Sequence, residues 1–286
     1  MSCGNNTALV ETAWLADHLD APDVVVVDGS WYLPQLERDP KAEYAEGHIP
    51  GAVYFDIDEI ADTDNSLPHM FPSGDRFAEK VGALGISNGH HVVVYDGLGL
   101  FSAGRVWWMF RAFGHEQVSV LNGGLPKWLA EERPLESGPV KRRPATFRPA
   151  FRHGMVRGLR HMRANLDSGR DQVLDARAAG RFSGEEPEIR PGLRGGHIPG
   201  SRNLPFNGLV DPGTNTLKDA SALKALFEGS GVDLARPVVT TCGSGISACN
   251  LALGLHLLGH RDVAIYDGSW TEWGGQDDTP VETGPA

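Results

Sequence analysis

The chain has 286 residues, enough for two ordinary domains, and 41% of them are hydrophobic, enough for sizeable cores. Its 26 basic and 37 acidic side chains leave a net charge of −11, which argues against a nucleic-acid or anionic-membrane surface. No apolar run is long enough to span a bilayer, and Met1-Ser2-Cys3-Gly4-Asn5-Asn6-Thr7 has neither the basic nor the apolar region of a secretory signal. Three cysteines are too few for a disulfide scaffold, so a reducing, cytoplasmic setting is expected.

In chain order, Leu9 to Leu19 reads as an opening helix, and Val24-Val25-Val26-Val27-Asp28 as a buried strand ending in an acid. The tight turn Gly47-His48-Ile49-Pro50-Gly51-Ala52 follows, then Phe55-Asp56-Ile57-Asp58 and Pro68-His69-Met70. On residue type alone, Asp58 is a helix cap or solvated acid and His69 a loop histidine. Arg76 to Leu84 reads as a helix, Val92-Val93-Val94-Tyr95-Asp96-Gly97 as a strand entering a loop, and Val106 to Phe113 as the next helix. Val120-Leu121-Asn122-Gly123-Gly124 with Trp128 ends the series, and the polar, basic, proline-containing stretch Glu136 to Pro144 reads as a linker.

The same series then runs again. Leu159 to Leu166 reads as a helix, and Val173-Leu174-Asp175-Ala176-Arg177 matches the first valine strand. Gly196-His197-Ile198-Pro199-Gly200-Ser201 repeats the tight turn, and the recurrence of its histidine points to a structural role for His48 and His197. Ala220 to Gly229 is the middle helix, Val238-Val239-Thr240-Thr241-Cys242-Gly243 the strand and loop, and Cys249 to Leu258 the following helix. Ile265-Tyr266-Asp267-Gly268-Ser269 with Trp273 closes the copy. The offsets cluster near 145 to 149 residues, so a whole domain is duplicated in tandem. Short apolar runs between helices predict parallel strands covered on both faces, hence an α/β fold in each copy. The expected layout is a first domain at 1–138, a linker at 139–155 and a second domain at 156–286.

Chemistry concentrates where the second copy enters its loop. Cys242 stands at the end of a strand, in a loop of glycines and hydroxyls that runs into a helix. Loop amides turned inward and the helix dipole both favour an anion there, so a thiolate nucleophile is expected at Cys242. The first copy has Asp96 in that position and is expected to be catalytically inactive, with a wall of the cleft as its alternative contribution. Cysteine phosphatases need an arginine six positions after the nucleophile, and Ala248 stands there, so their main transition-state clamp is missing. Cys249 reads as a small core residue or, less simply, a resolving thiol, and Cys3 as an exposed terminal thiol. His90-His91 lack the spacing of metal ligands, so no metal site is expected.

These residues resemble the tandem-domain rhodanese-type sulfurtransferases over nearly the whole chain: two mainly parallel sheets flanked by helices, a doubled GHIPG element and one catalytic loop. Within that family, Cys242-Gly243-Ser244-Gly245 followed by Ile246-Ser247 resembles the 3-mercaptopyruvate branch. The thiosulfate branch places basic residues directly after the cysteine, where this chain has Gly243 and Ser244. The resemblance implies that Arg181 and Arg190 bind the substrate carboxylate and carbonyl through forked hydrogen bonds. The loop residues Gly243, Gly245, Ile246 and Ser247 would surround the transferred sulfur. Phe55-Asp56-Ile57-Asp58 and His69-Met70 match a family element in which Asp58, His69 and Ser244 form a relay that reaches the cleft from the other domain. Arg177 and Arg194 are expected to pair structurally with Asp175 or Glu188. The implied activity is transfer of sulfur from 3-mercaptopyruvate through a Cys242 persulfide to cyanide or to a thiol such as thioredoxin, without metal or organic cofactor. The competing readings are a thiosulfate:cyanide sulfurtransferase and a non-catalytic persulfide carrier.

Overall fold

The valine-rich runs become parallel strands because both of their faces are covered by helices. This is a computed structural model that describes residues 8–285, and Cys3 lies outside them. Its first sheet contains β1 (Leu9–Val10), β2 (Val24–Asp28), β3 (Val53–Tyr54), β4 (His91–Tyr95) and β5 (Val118–Leu121). They lie in the order β1-β5-β4-β2-β3, every pairing parallel. All five residues of β2 are buried, as a strand sandwiched between helix layers requires.

The second sheet repeats this order. β6 (Val156–Arg157), β7 (Gln172–Asp175), β8 (Arg202–Asn203), β9 (Val238–Thr241) and β10 (Val263–Tyr266) lie as β6-β10-β9-β7-β8, again all parallel. The helices are α1 (Thr12–His18), α2 (Pro40–Glu46), α3 (Gly74–Ala83), α4 (Ala103–Ala112) and α5 (Gly124–Ala130) in the first half. The second half holds α6 (Leu159–Ser168), α7 (Ala179–Ser183), α8 (Ala220–Gly229), α9 (Ala248–Leu257) and α10 (Ser269–Trp273). None of the described helices is long and apolar enough to cross a membrane.

Two compact units result. The first takes residues up to Asp62, Pro72–Arg152 and Asp211–Leu217; the second takes Thr63–Phe71, His153–Val210 and the chain from Lys218 on. The segment 139–152, which lies within the expected linker at 139–155, is held along the first unit. Ala145 N–H bonds to Gly82 O at 2.8 Å, Ala150 N–H to Phe113 O at 2.8 Å, and Phe147 is buried.

Two element starts differ from the sequence reading for physical reasons. Leu9 and Val10 do not open a helix; they pair in parallel with Val120 and Leu121, and α1 begins only at Thr12. The third helix begins at Gly74, because the Ser73 side chain accepts the Arg76 amide and caps it there. The duplicated GHIPG turns are built alike. His48 stacks on Tyr44 with ring centroids 4.1 Å apart, and His197 on Phe182 at 3.8 Å. In each, Nδ1 donates to the carbonyl of that same aromatic residue, at 2.7 Å and 2.9 Å. Both histidines are thus structural, fixed as Nδ1–H tautomers by an acceptor that cannot donate. Trp128 and Trp273 are fully buried at matching positions, each donating its indole N–H to a proline carbonyl.

Candidate active site

Strand β9 is the middle strand of its sheet and delivers Cys242 to the sheet's C-terminal edge, where ligands of parallel α/β sheets bind. Cys242 is 2% exposed, and its Sγ accepts the Gly245 amide at 3.1 Å. That bend needs Gly245 at φ +78°, a conformation glycine adopts without strain. Helix α9 follows, with Ala248 through Leu255 buried, so the positive end of its dipole lies beside the loop. Cys249 is fully buried and donates its thiol to Gly245 O at 3.2 Å. Cys242 and Cys249 are both free thiols.

Two guanidiniums converge on the residue after Cys242. A Cβ built on Gly243 would lie 3.3 Å from Arg181 Nη2 and 3.9 Å from Arg190 Nη1. The family-implied pair is therefore brought to the loop, and glycine at this position leaves room for it. Arg181 is held in turn by Glu188, whose Oε2 accepts from its Nε and Nη2 at 3.2 and 2.9 Å. The other oxygen of Glu188 accepts from Arg177 Nη1 at 2.5 Å. Arg177 is bidentate to Asp175, with contacts of 2.9 and 2.6 Å to Oδ2, and its guanidinium lies 4.3 Å over the Trp270 ring. Asp175–Arg177–Glu188–Arg181 is thus one alternating chain of charge in which the first three side chains are almost wholly buried and Arg181 reaches the loop.

Arg177 pairs as expected, but Arg194 does not. It finds neither Asp175 nor Glu188; its guanidinium instead donates to the carbonyls of Trp273, Gly274 and Thr279, capping the end of α10.

His69 belongs to the same compact unit as Cys242. It is 6% exposed, has φ +61°, and its Nε2 lies 3.4 Å from Arg190 Nη2. Arginine cannot accept a hydrogen bond, so Nε2 is the acceptor and the imidazole is the neutral Nδ1–H tautomer in this arrangement. Two residues on, the Phe71 amide donates to Asp267 Oδ2 at 2.7 Å, tying the His69 segment to the end of β10. Ser244 is buried in the loop; Ile246 is buried and Ser247 stands at the start of α9. Asp58 belongs to the first unit, where its carboxylate accepts the Trp31 indole N–H at 3.0 Å.

Four residues bonded to this site carry no such role in the sequence: Asp267, which accepts the Phe71 amide, Ser269, which accepts the Cys242 amide, Thr271, which donates to Gly243 O, and Glu188 as the holder of Arg181. The signal available for the first two was the doubled Tyr266-Asp267-Gly268-Ser269 element, which marked a turn but not what the turn holds.

The model of the rhodanese-like domain matches the chain twice, over residues 11–131 and 159–276. The chain is 48% identical to human 3-mercaptopyruvate sulfurtransferase over 272 residues, covering 93% of this chain and 91% of that protein. It is also 48% identical to bovine thiosulfate sulfurtransferase over 274 residues, with the same coverage. The crystal structure of an Escherichia coli 3-mercaptopyruvate sulfotransferase superposes with a TM-score of 0.85 at 40% identity, covering 92% of this chain and 99% of that one. Doubled sheet, doubled turn and doubled domain match agree, and the chain belongs to the rhodanese family, with two rhodanese-like domains in tandem.

Proposed function

We propose that the protein is a 3-mercaptopyruvate sulfurtransferase in which Cys242 is the nucleophile. The observation that carries this reading is the convergence of Arg181 and Arg190 on Gly243, beside a cysteine followed by the uncharged Gly243 and Ser244. Identity alone does not choose the donor, because relatives named for both donors stand at 48%. Charge does. Two guanidiniums, one already shared with Glu188, suit the single carboxylate and adjacent carbonyl of a keto acid. The dianion thiosulfate would gain from cationic side chains in the loop itself, and this loop has none.

The Cys242 thiolate attacks the sulfur of the donor. The S–S bond forms as the carbon–sulfur bond breaks, and its electron pair leaves on carbon as the enolate of pyruvate, which is then protonated. Ser244, backed by His69 and Asp58 as the family resemblance assigns them, handles the proton near the substrate. Sulfur remains on Cys242 as a persulfide, stabilised by the loop amides from Gly243 onward, Ser244, Gly245, Ile246 and Ser247 among them. A thiol such as thioredoxin, or cyanide in an assay, attacks the outer sulfur and regenerates the thiolate, giving ping-pong kinetics. The free thiols Cys242 and Cys249 suit a reducing compartment such as the cytoplasm.

Steady-state kinetics with cyanide as acceptor and each donor in turn test the assignment. The expected result is a kcat/KM for 3-mercaptopyruvate above that for thiosulfate by about tenfold or more. A preference for thiosulfate overturns the choice of donor.

A further inference from the structure

The backbone of the nucleophile is gripped by three successive residues at the start of α10. The Cys242 amide donates to Ser269 Oγ at 3.2 Å, and that hydroxyl donates onward to Tyr266 O at 2.8 Å. The Trp270 amide donates to Cys242 O at 2.9 Å. Thr271 donates twice to Gly243 O, from its amide at 2.8 Å and from Oγ1 at 2.6 Å.

The first copy has one of these bonds. Leu125 N–H donates to Asp96 O at 3.0 Å, as Trp270 does to Cys242. At the position of Ser269 stands Gly124, which has no hydroxyl, and at that of Thr271 stands Pro126, which has neither hydroxyl nor amide proton. The backbone conformation is nevertheless the same: φ is +53° at Gly124 and +50° at Ser269. A fully buried serine in the left-handed region is strained where glycine is not, so the copy that keeps the nucleophile has taken on strain together with a hydroxyl.

We propose that Ser269 and Thr271 are positioning residues for sulfur transfer, a role that rests on the function proposed above. They fix the two peptide planes flanking the Cys242–Gly243 link. Because a trans peptide points its N–H opposite to its C=O, holding Gly243 O towards α10 turns the Ser244 amide away from α10. In the first copy the corresponding amide, that of Leu98, turns to the Asp96 carboxylate at 2.9 Å. Clamping this backbone aligns Sγ for displacement at the donor sulfur and presets the amide that receives the persulfide charge.

The test is single-turnover persulfide formation with 3-mercaptopyruvate, followed by mass spectrometry, in Ser269→Gly, Thr271→Val and Thr271→Ser. Ser269→Gly installs the residue of the first copy and Thr271→Val removes only the hydroxyl. Each is expected to slow the step by roughly tenfold, the worth of one neutral hydrogen bond in the reacting state. Thr271→Ser, which restores the hydroxyl, is expected to react at nearly the wild-type rate, with KM unchanged in all three. The thermal midpoint of Ser269→Gly should fall only slightly, because relief of the left-handed strain offsets part of the cost of removing the acceptor of the Cys242 amide. Wild-type rates in Ser269→Gly and Thr271→Val, or equal slowing in Thr271→Ser and Thr271→Val, overturn the role. If wild type takes sulfur from thiosulfate but not from 3-mercaptopyruvate, the donor assignment fails, and the same variants are then judged with thiosulfate.

Discussion

The loop after β4 and the loop after β9 occupy the same place in two sheets of the same order, and one has filled its own anion site. Asp96 Oδ2 accepts the amides of Phe101, Ser102 and Ala103 at 2.7, 2.9 and 2.8 Å, and Oδ1 accepts that of Leu98. This is a nest of backbone N–H groups occupied by a tethered carboxylate. In the second copy the side chain at that position is a thiol that takes one loop amide, that of Gly245. The rest of the surroundings changes with it. The residue before the aromatic partner of each turn histidine is Glu43 in one copy and Arg181 in the other. Glu43 accepts from Tyr32 and Arg38, and the Tyr32 hydroxyl stands over Gly97, as Arg181 stands over Gly243. The aromatic residue lies 4 positions before its histidine in the first copy and 15 in the second. The extra length carries Glu188 and Arg190. The two loops thus differ by a thiol in place of the built-in carboxylate and by two guanidiniums beside the glycine that follows it.

The largest effect expected from breaking this comparison is at the acid that ends the strand beside each loop's own, β2 next to β4 and β7 next to β9. Asp175 is bidentate to Arg177 in the second copy, whereas Asp28 has Ser30 where that arginine would be. Asp175→Asn should cost about 3 kcal/mol in urea unfolding, since it breaks a buried ion pair from one side. Next in size is Arg190→Ala, expected to lower kcat/KM for 3-mercaptopyruvate roughly a hundredfold by removing a charged hydrogen-bond donor.

Asp28 should respond with the opposite sign to Asp175. Burial raises its carboxyl pKa from 3.8 to about 6, so the folded state prefers the proton. The stability this contributes is complete below the unfolded value and is lost as pH rises through about 6. Asp28→Asn, which still accepts the Ser30 amide, should therefore stabilise the protein at pH 7 by on the order of 2 kcal/mol. Chemical unfolding at a series of pH values should show this gain shrinking towards pH 4. The smallest effect is a null one: Asp96→Cys in a Cys242→Ser background should not restore sulfur transfer in the cyanide assay. The glycine after a thiol at position 96 has the Tyr32 hydroxyl, bonded to Glu43, over it, where Gly243 has two guanidiniums.

Much of this was legible in one sequence because the chain supplies its own comparison. The doubled strands, GHIPG turns and Trp128/Trp273 elements marked the two α/β halves, and Cys242 against Asp96 separated their chemistry. Arg181 and Arg190 came from family resemblance, and their approach to Gly243 is a tertiary fact that spacing alone does not carry. β1 and β6 were missed because two residues are too few to show a period; they exist only as ladders to β5 and β10. The anion nest around Asp96 is not legible in sequence because its donors are backbone amides two to seven positions on, which meet the carboxylate only once the loop is folded. The holders of the site, Ser269 and Thr271, act through hydrogen bonds to a loop 27 or 28 positions away, which no local pattern announces.

The most direct test of the central claim is the mass of the intact protein after brief exposure to 3-mercaptopyruvate, with peptide mapping of the product. Wild type should gain one sulfur atom, mapped to Cys242, and lose it on addition of cyanide, while Cys242→Ser gains none. A sulfur adduct that persists in Cys242→Ser, or that maps to Cys249 in the wild type, would contradict the account.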